Sequence, residues 1–218
     1  IDADSIAKLI GTAADVKTVL ASSGVDLAAA VVVDVNGTIS AADANTIALN
    51  ANAGVVTATV KADTAEKLND ALGTLGGADK LSLTVTGASA NAADLNGLNG
   101  KTTEAVNASA IKTVTGTDTS IAALYAAGAV QVSGLGNEAV TVTNEALVAS
   151  IKTINTATTG VINVSSVTTK NGAIGATEFE LADLGDLAGI TGLFNLNTND
   201  GAITEITLSI ADLLAAND

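Results

Sequence analysis

Apolar residues recur along this chain in two alternating patterns. In the first, they follow one another at spacings of three and four residues, which places them along one stripe of a short helix. Each stretch opens with Ser, Thr, Asn or Asp, usually with an acidic residue three positions later, a combination typical of helix N-termini. We therefore predict short helices starting at Thr12, Ser40, Asp63, Asn91, Thr117, Asn144, Thr177 and Ser209.

The second pattern consists of short runs between the predicted helices. These runs are rich in Val, Thr and Ile, and several alternate apolar with polar residues, as half-buried strands do. We predict strands at Val31–Val35, Val55–Val60, Leu81–Thr86, Glu104–Ala108, Val130–Ser133 with Ala139–Thr143, Val161–Val164 and Ile203–Leu208.

The spacing of the helix starts predicts a repeat architecture. Successive starts are 23 to 33 residues apart, and internal periods in the range of about 20 to 50 residues are typical of solenoids. One strand and one helix per step favours a single-sheet parallel α/β solenoid of roughly eight coils, with helices on one face of the sheet. The alternative is a β-helix (β-solenoid) in which the predicted helices are only turns.

The repeats indicate one solenoid domain over residues 1–218, with an internal duplication. Asp2–Thr12 resembles Asn107–Thr117 at an offset of 105 residues. We therefore expect two super-repeats, 1–106 and 107–218. The tail after about residue 167 diverges, because the helix spacing lengthens there.

Four segments share an alphabet dominated by Ala, Thr, Asn and Gly: Leu81–Thr86, Ala93–Thr103, Ala105–Ser109 and Val114–Thr117. In composition and layout they resemble the repeat arrays of giant cyanobacterial cell-surface proteins of the marine Synechococcus swimming-motility type. The resemblance extends over residues 31–167. It implies a secreted, surface-attached protein with no catalytic role.

Composition limits which side chains can form the core. Cys, Met, Trp, Pro and His are absent, and the aromatic residues are limited to Tyr125, Phe179 and Phe194. The core must therefore consist of Ala, Val, Ile and Leu, which suit thin, regular layers better than a bulky core. The absence of Pro fits a chain with many strand ladders, since Pro interrupts them.

Charge and hydropathy narrow the range of partners. The net charge of −14 opposes binding to nucleic acids and to anionic membranes. The longest uninterrupted apolar run, Leu27–Val33, is far too short to span a bilayer. The first residue is Ile1, which we interpret as the start of a processed chain or of a fragment. We expect neither nucleic-acid binding nor membrane insertion.

The chain lacks the residues that most often carry out nucleophilic catalysis. Without His and Cys, neither a Ser–His–Asp nor a Cys–His site can form. A Ser–Lys dyad or paired carboxylates stay open in principle, but the acidic residues are explained by helix capping. We predict that the chain is not an enzyme, with no catalytic or cofactor-binding residues and no small-molecule substrate.

Three Asn-Gly or Asp-Gly pairs are the nearest approach to a metal-binding loop. Each is followed two residues later by an Ile, as in the second half of an EF-hand loop, but the first ligand position is apolar in every copy. We favour tight turns that need a positive φ and lead into strands. The pairs are Asn36-Gly37, Asn171-Gly172 and Asp200-Gly201, and the Ile residues that follow them are Ile39, Ile174 and Ile203. The first ligand position of the loop would be Val32, Val167 or Leu196, and the last ligand position would be Asp43 or Glu178.

A second candidate for calcium is the oxygen-rich group Asn195, Asn197, Asn199 and Asp200. Such side chains are suitable ligands for calcium, but Asn-rich turns in repeat proteins more often form hydrogen-bonded ladders. We therefore assign no metal-ligating residues and expect no obligatory metal, with calcium as the alternative.

Two functional classes follow. The first is a non-catalytic extracellular or cell-surface structural protein that associates with its own copies, head to tail, into a surface layer, filament or matrix. The second is a segment of a cell-surface adhesin or binding module stabilised by calcium. Sugar- and partner-binding surfaces usually display aromatic residues. Because this chain has so few, we favour the structural class.

Overall fold

The computed structural model describes residues 2–50, 53–143 and 148–163, together with three strand segments at 190–191, 193–196 and 206–209. The chain divides into two compact units, each assembled from separate stretches of sequence. The first unit comprises Ile1–Gly87, Asp94–Ala110 and Ala129–Gly134, and the second comprises Ala88–Ala93, Ile111–Gly128 and Leu135–Asp218.

Six helices occur in the described residues, and five of them start where the sequence pattern places them, to within one residue or two. None of the six is long and apolar enough to cross a membrane. Because they are true helices, the plain β-helix alternative does not hold for this part of the chain. The helices are α1 (Ala13–Leu20), α2 (Ala41–Ala48), α3 (Ala65–Leu72), α4 (Ala92–Asn99), α5 (Asp118–Ala127) and α6 (Val148–Ala157).

The predicted caps of α1 and α2 are confirmed. Thr12 Oγ1 accepts a hydrogen bond from Asp15 N at 3.3 Å, and Ser40 Oγ accepts one from Asp43 N at 3.0 Å. Each cap hydroxyl also donates to the carboxylate of the same acidic residue, at 2.7 Å and 2.9 Å respectively. The acid three residues after the cap therefore orients the cap hydroxyl and lies at the positive end of the helix dipole.

Two of the predicted helix starts are displaced. The cap of α3 is Thr64, whose hydroxyl accepts from Lys67 N at 3.4 Å, while Asp63 Oδ1 accepts from Thr64 N at 2.8 Å. The sixth helix begins at Val148, four residues after Asn144. Asn144 and the helix start at Thr177 lie outside the described residues.

Fifteen strands occur in the described residues, more than the sequence pattern predicts. They are β1 (Asp2–Ala3), β2 (Lys8–Gly11), β3 (Asp26–Leu27), β4 (Val31–Ile39), β5 (Ala53–Val60), β6 (Lys80–Ser82), β7 (Ser89–Asn91), β8 (Val106–Asn107), β9 (Thr113–Thr117), β10 (Val132–Ser133), β11 (Ala139–Thr143), β12 (Ile162–Asn163), β13 (Ile190–Thr191), β14 (Leu193–Leu196) and β15 (Ile206–Ser209).

The first unit contains a four-stranded parallel sheet in the order β2-β4-β5-β6, and two parallel strand pairs, β1-β3 and β8-β10. In the larger sheet, Leu9 pairs with Val33, and Val33 pairs with Val56. Val33 and Val56 are fully buried. Stacking of aliphatic residues from successive strands therefore forms the core of this unit.

The second unit contains a five-stranded parallel sheet in the order β13-β12-β11-β9-β7. Its register aligns Ala90, Val114, Val140 and Ile162 in one row of buried residues. Helix α5 packs on β9 and β11 and contributes buried Ile121 and Leu124 to the same core.

The strand predictions are confirmed in part. The strand Ala139–Thr143 agrees residue for residue, and Val31–Val35 is extended to Ile39. However, two strands often lie between successive helices. Strands β8 and β9 occur where we predicted one strand, and β10 and β11 occur where we predicted one composite run. The described strands also form several sheets, where we expected a single sheet.

We expected every pair of strands to be parallel, but one pair is not. Strands β14 and β15 are antiparallel, with Leu193 opposite Ser209 and Leu196 opposite Ile206. Antiparallel strands can be joined directly, without a helical crossover, so this pair departs from the repeat pattern. Ser209, predicted to start a helix, is instead the last residue of β15.

The Asn36-Gly37 pair lies in a bulge inside β4. Asp34 pairs with Thr57 and Thr38 with Thr59, so three residues of β4 face one residue of β5. Gly37 has φ +78°, a conformation that glycine adopts readily. The predicted positive φ is confirmed, but at a bulge and not at a turn before the strand.

Replacing the cap of α2, Ser40→Ala, should lower the free energy of unfolding by about 1 kcal/mol, because the amide of Asp43 loses its partner. Urea unfolding followed by circular dichroism measures the change. The control is Thr46→Ala in the same helix, which removes a hydroxyl that bonds only to the carbonyl of Ala42 at 2.8 Å and should cost little. Equal losses in the two variants would contradict the capping role.

Candidate functional site

Burial of polar and ionisable side chains marks the places where a functional site is first sought. Among the described residues, the buried polar side chains are few, and most belong to two hydrogen-bonded clusters. The Asp79 cluster, in the first unit, consists of Asp79, Thr102 and Thr103. The Glu138 cluster, in the second unit, consists of Tyr125, Gly136, Asn137, Glu138, Thr158 and Thr159.

The centre of the Glu138 cluster is a carboxylate with only 1% of the residue exposed. Its Oε1 atom accepts a hydrogen bond from the hydroxyl of Tyr125, on helix α5. Its Oε2 atom accepts from Gly136 N at 2.6 Å and from Asn137 N at 3.0 Å. Three donors therefore surround the buried carboxylate, which is how a charge is tolerated away from water.

The backbone around Glu138 is held from the next repeat. Thr158 Oγ1 donates to the Glu138 carbonyl at 2.8 Å and accepts from Gly160 N at 3.0 Å. Thr159 N donates to the Gly136 carbonyl at 2.9 Å. The cluster thus joins helix α5, the segment before β11 and the segment that follows α6.

Burial raises the pKa of Tyr125, and the hydrogen bond and negative charge of Glu138 raise it further, against a smaller lowering by a hydrogen bond with Thr158. The phenol therefore stays protonated at neutral pH and acts as a donor. A neutral phenol and an enclosed carboxylate with three donors are poorly suited to nucleophilic or general-base chemistry. The arrangement is suited to fixing the chain.

The Asp79 cluster likewise fixes the chain, here beside strands β5 and β6. Asp79 Oδ1 accepts from Val56 N at 2.8 Å. Thr102 Oγ1 donates to the Leu81 carbonyl at 2.8 Å and accepts from Leu81 N at 2.9 Å. Side chains thus satisfy backbone groups of β5 and β6. Burial raises the pKa of Asp79, while the hydrogen bond from Val56 opposes the rise.

A Thr-Thr pair occupies the same position in both clusters. Thr102 accepts from the amide two residues ahead, that of Glu104, at 3.1 Å, as Thr158 does from Gly160. Thr103 N donates to the Asp79 carbonyl at 2.8 Å, as Thr159 N does to Gly136. Each pair follows a helix and reaches back to the preceding repeat. Sequence analysis did not predict these hydrogen bonds between repeats, although both Thr-Thr pairs are visible in the sequence.

The structure describes only some of the calcium candidates. Asp43, a proposed last ligand, accepts hydrogen bonds from Lys17 and Ser40, which hold the pKa of its carboxyl low. Within residues 2–50, 53–143 and 148–163, no group of three or more acidic side chains could hold a metal ion. Asn195 lies in β14, and Asn171, Glu178, Asn197, Asn199 and Asp200 lie outside the described residues.

A Ser-x-x-Lys spacing, which serine–lysine enzymes use, occurs at Ser5–Lys8 and again at Ser109–Lys112. Lys8 forms an ion pair with Asp34. Both lysines are exposed, whereas a lysine that serves as a general base needs burial to lower its pKa. The spacing alone is therefore no indication of catalysis.

Raising the pH above 10 should destabilise the protein through Tyr125. The pKa of Tyr125 is raised in the folded state above its ordinary value of 10.0, so its contribution to stability is complete below pH 10 and is lost as the pH rises further. The chain has one Tyr and no Trp, so ultraviolet absorbance of the phenolate reports this residue alone.

The matched variant is Tyr125→Phe. It should lose about 2 kcal/mol at neutral pH, because Glu138 loses a donor, and it should lack this part of the alkaline decline. A wild-type phenol that ionises near its ordinary pKa in the folded protein would contradict the assignment.

Substituting Asp79→Asn should stabilise the protein at neutral pH. The amide oxygen can still accept from Val56 N, and the cost of a buried charge disappears. Because the pKa of Asp79 is raised in the folded state, the gain should be present at pH 7 and should vanish below its ordinary value of 3.8. Melting temperatures across pH measure this, with the exposed Asp26→Asn as a control for net charge. A gain independent of pH would contradict the explanation.

Comparison of the chain with protein-family models, with curated proteins and with solved structures finds no match.

Proposed function

We propose that this chain is a non-catalytic, extracellular or cell-surface structural protein, and that its strand–helix repeats form a solenoid of about eight coils that associates with copies of itself. The observation that carries this proposal is the regular offset between paired parallel strands. Lys8 pairs with Val32, and Val33 with Val56, in the first unit; Val114 pairs with Val140, and Val140 with Ile162, in the second.

Over the parallel ladders of the described residues, these offsets are 21 to 28 residues. A near-constant offset means that each strand pairs with its counterpart in the adjacent repeat. In solenoids each repeat contacts chiefly its neighbours, so the terminal repeats keep surfaces of the same kind as the internal contacts. A protein built this way is suited to extended assemblies.

The polar interior supports a structural role. The carboxylates of Glu138 and Asp79 accept hydrogen bonds from backbone amides, and the carbonyl of each residue accepts one from a threonine of the following repeat. Buried ionisable groups at catalytic sites are usually left available to a substrate. Here they are used to connect repeats.

A binding module of an adhesin is the alternative. Such surfaces usually present aromatic rings, and the single tyrosine has its hydroxyl bound to Glu138. The location outside the cell rests on the resemblance to cell-surface repeat arrays.

The test is the size of the purified chain as a function of concentration, measured by sedimentation velocity with negative-stain microscopy of the same samples. We expect the sedimentation coefficient to rise with concentration, and ordered assemblies to appear. Millimolar calcium should raise the melting temperature no more than magnesium does. A discrete monomer at all concentrations would overturn the proposal, and specific retention of a glycan would favour the adhesin alternative.

A further inference from the structure

The described residues contain three Asn-Gly pairs, which differ in their surroundings. Asn36-Gly37 lies in the bulge of β4 and is exposed, Asn96-Gly97 lies inside helix α4, and Asn99-Gly100 lies at the end of that helix. A glycine after asparagine favours attack of the backbone nitrogen on the side-chain amide, because glycine has no Cβ atom to hinder the approach. The pairs can therefore be compared as sites of spontaneous deamidation, a reaction of asparagine that needs no enzyme.

The bulge places the Asn36-Gly37 pair outside the strand ladders on both sides. The register of β4 with β5 passes from Asp34 directly to Thr38, and its register with β2 ends at Val35. Residues in a bulge are released from the regular ladder, so the backbone of the pair can change conformation without breaking a strand pairing. A Cβ atom placed at Gly37 would meet no atom beyond its two chain neighbours within 4 Å. The space beside the pair is therefore open.

Helix α4 restrains the other two pairs. A Cβ atom placed at Gly97 would lie 2.6 Å from Oδ1 of Asn69, so a side chain of α3 already fills that position. Gly100 N donates to the Asn96 carbonyl at 3.1 Å, and amides inside an α-helix are engaged in the same way. Reaction at either helical pair therefore requires the helix to open first.

We propose that Asn36 is a site of spontaneous deamidation in the folded protein. The backbone nitrogen of Gly37 loses its proton to solvent and attacks Cγ of Asn36. The new bond closes a cyclic imide, and the side-chain nitrogen leaves as ammonia, with a proton returned by solvent. Water then opens the imide: cleavage between Cγ and the nitrogen yields aspartate, and cleavage at the main-chain carbonyl yields isoaspartate. No atom is oxidised or reduced, and water is the only co-reactant.

The bulge can accommodate both products. Isoaspartate adds a methylene to the main chain, but the addition falls between the flanking pairs at Asp34 and Thr38, which keep their register with β5. Deamidation should therefore leave the protein folded while adding a negative charge to a chain whose net charge is already −14. Modified molecules accumulate with the age of the protein. The inference is independent of self-association and of where the protein resides.

Peptide mapping of the folded chain, after incubation at a mildly alkaline pH that favours loss of the amide proton, tests the proposal. Trypsin releases Asn36 within Thr18–Lys61 and both helical pairs within Leu81–Lys101, and fragmentation by mass spectrometry locates each change. In isotopically labelled water, a deamidated residue takes up a labelled oxygen. We expect Asn36 to react at least about tenfold faster than Asn96 or Asn99, because only the helical pairs depend on local opening.

The matched variant is Asn36→Gln, because glutamine keeps the amide but its longer side chain must close a larger and less favourable ring. Since residue 36 is exposed and lies outside the ladders, the variant should melt at the wild-type temperature and lose most of the oxygen uptake in Thr18–Lys61. Gly37 is less suitable for substitution, because its φ of +78° strains other residues and would change the bulge itself.

The chain unfolded in urea is the control for the effect of the fold. All three pairs lose their surroundings there, so Asn36, Asn96 and Asn99 should react at similar rates. Equal rates at the three residues in the folded protein would overturn the proposal. A faster reaction of Asn36 that persists unchanged in urea would also overturn it, because local sequence and not the bulge would then be the cause.

Discussion

Parallel pairing, which most strands of this chain use, requires a strand to meet a partner that lies a complete crossover further along the sequence. The polypeptide must therefore leave one strand, cross over and return to pair beside it, and it does so at offsets of 21 to 28 residues in the parallel ladders of the described residues. Once that distance is set, residues at equivalent positions fall into rows. Rows of small aliphatic residues such as Val114 and Val140 then provide the core without aromatic side chains.

The return from helix to strand is where regular hydrogen bonding is most difficult to maintain. At these points the chain turns, and backbone groups of the neighbouring strand are left without a ladder partner. Thr102 and Asp79 supply side-chain partners in the first unit, and Thr158 supplies one in the second. Buried polar residues are costly when they lack partners, so their positions here follow from the needs of the backbone.

Local features could be predicted from the sequence. The caps Thr12, Ser40 and Thr117 were predictable because capping involves residues within one helical turn. Strand β11 was predictable because its alternation is uninterrupted over Ala139–Thr143. The four residues of β2 were not, because a short strand with one Gly gains its stability from a partner 24 residues away.

The polar clusters could not be predicted for the same reason. Tyr125 lies on a helix and Glu138 precedes a strand, and they meet only because α5 packs on the sheet. Sequence reasoning assigned the acidic residues to helix caps, which holds for Asp15 and Asp43 but not for Glu138. The antiparallel pair β14-β15 was also unexpected, since the same strand pattern fits either direction.

The Thr-Thr pairs have a consequence for how far a local change can spread along the chain. Each pair reaches back only as far as the repeat before it, so the contacts it makes are contained in that repeat and its neighbour. Loss of one pair therefore weakens a single junction between repeats and leaves the hydrogen bonds of the other pair in place.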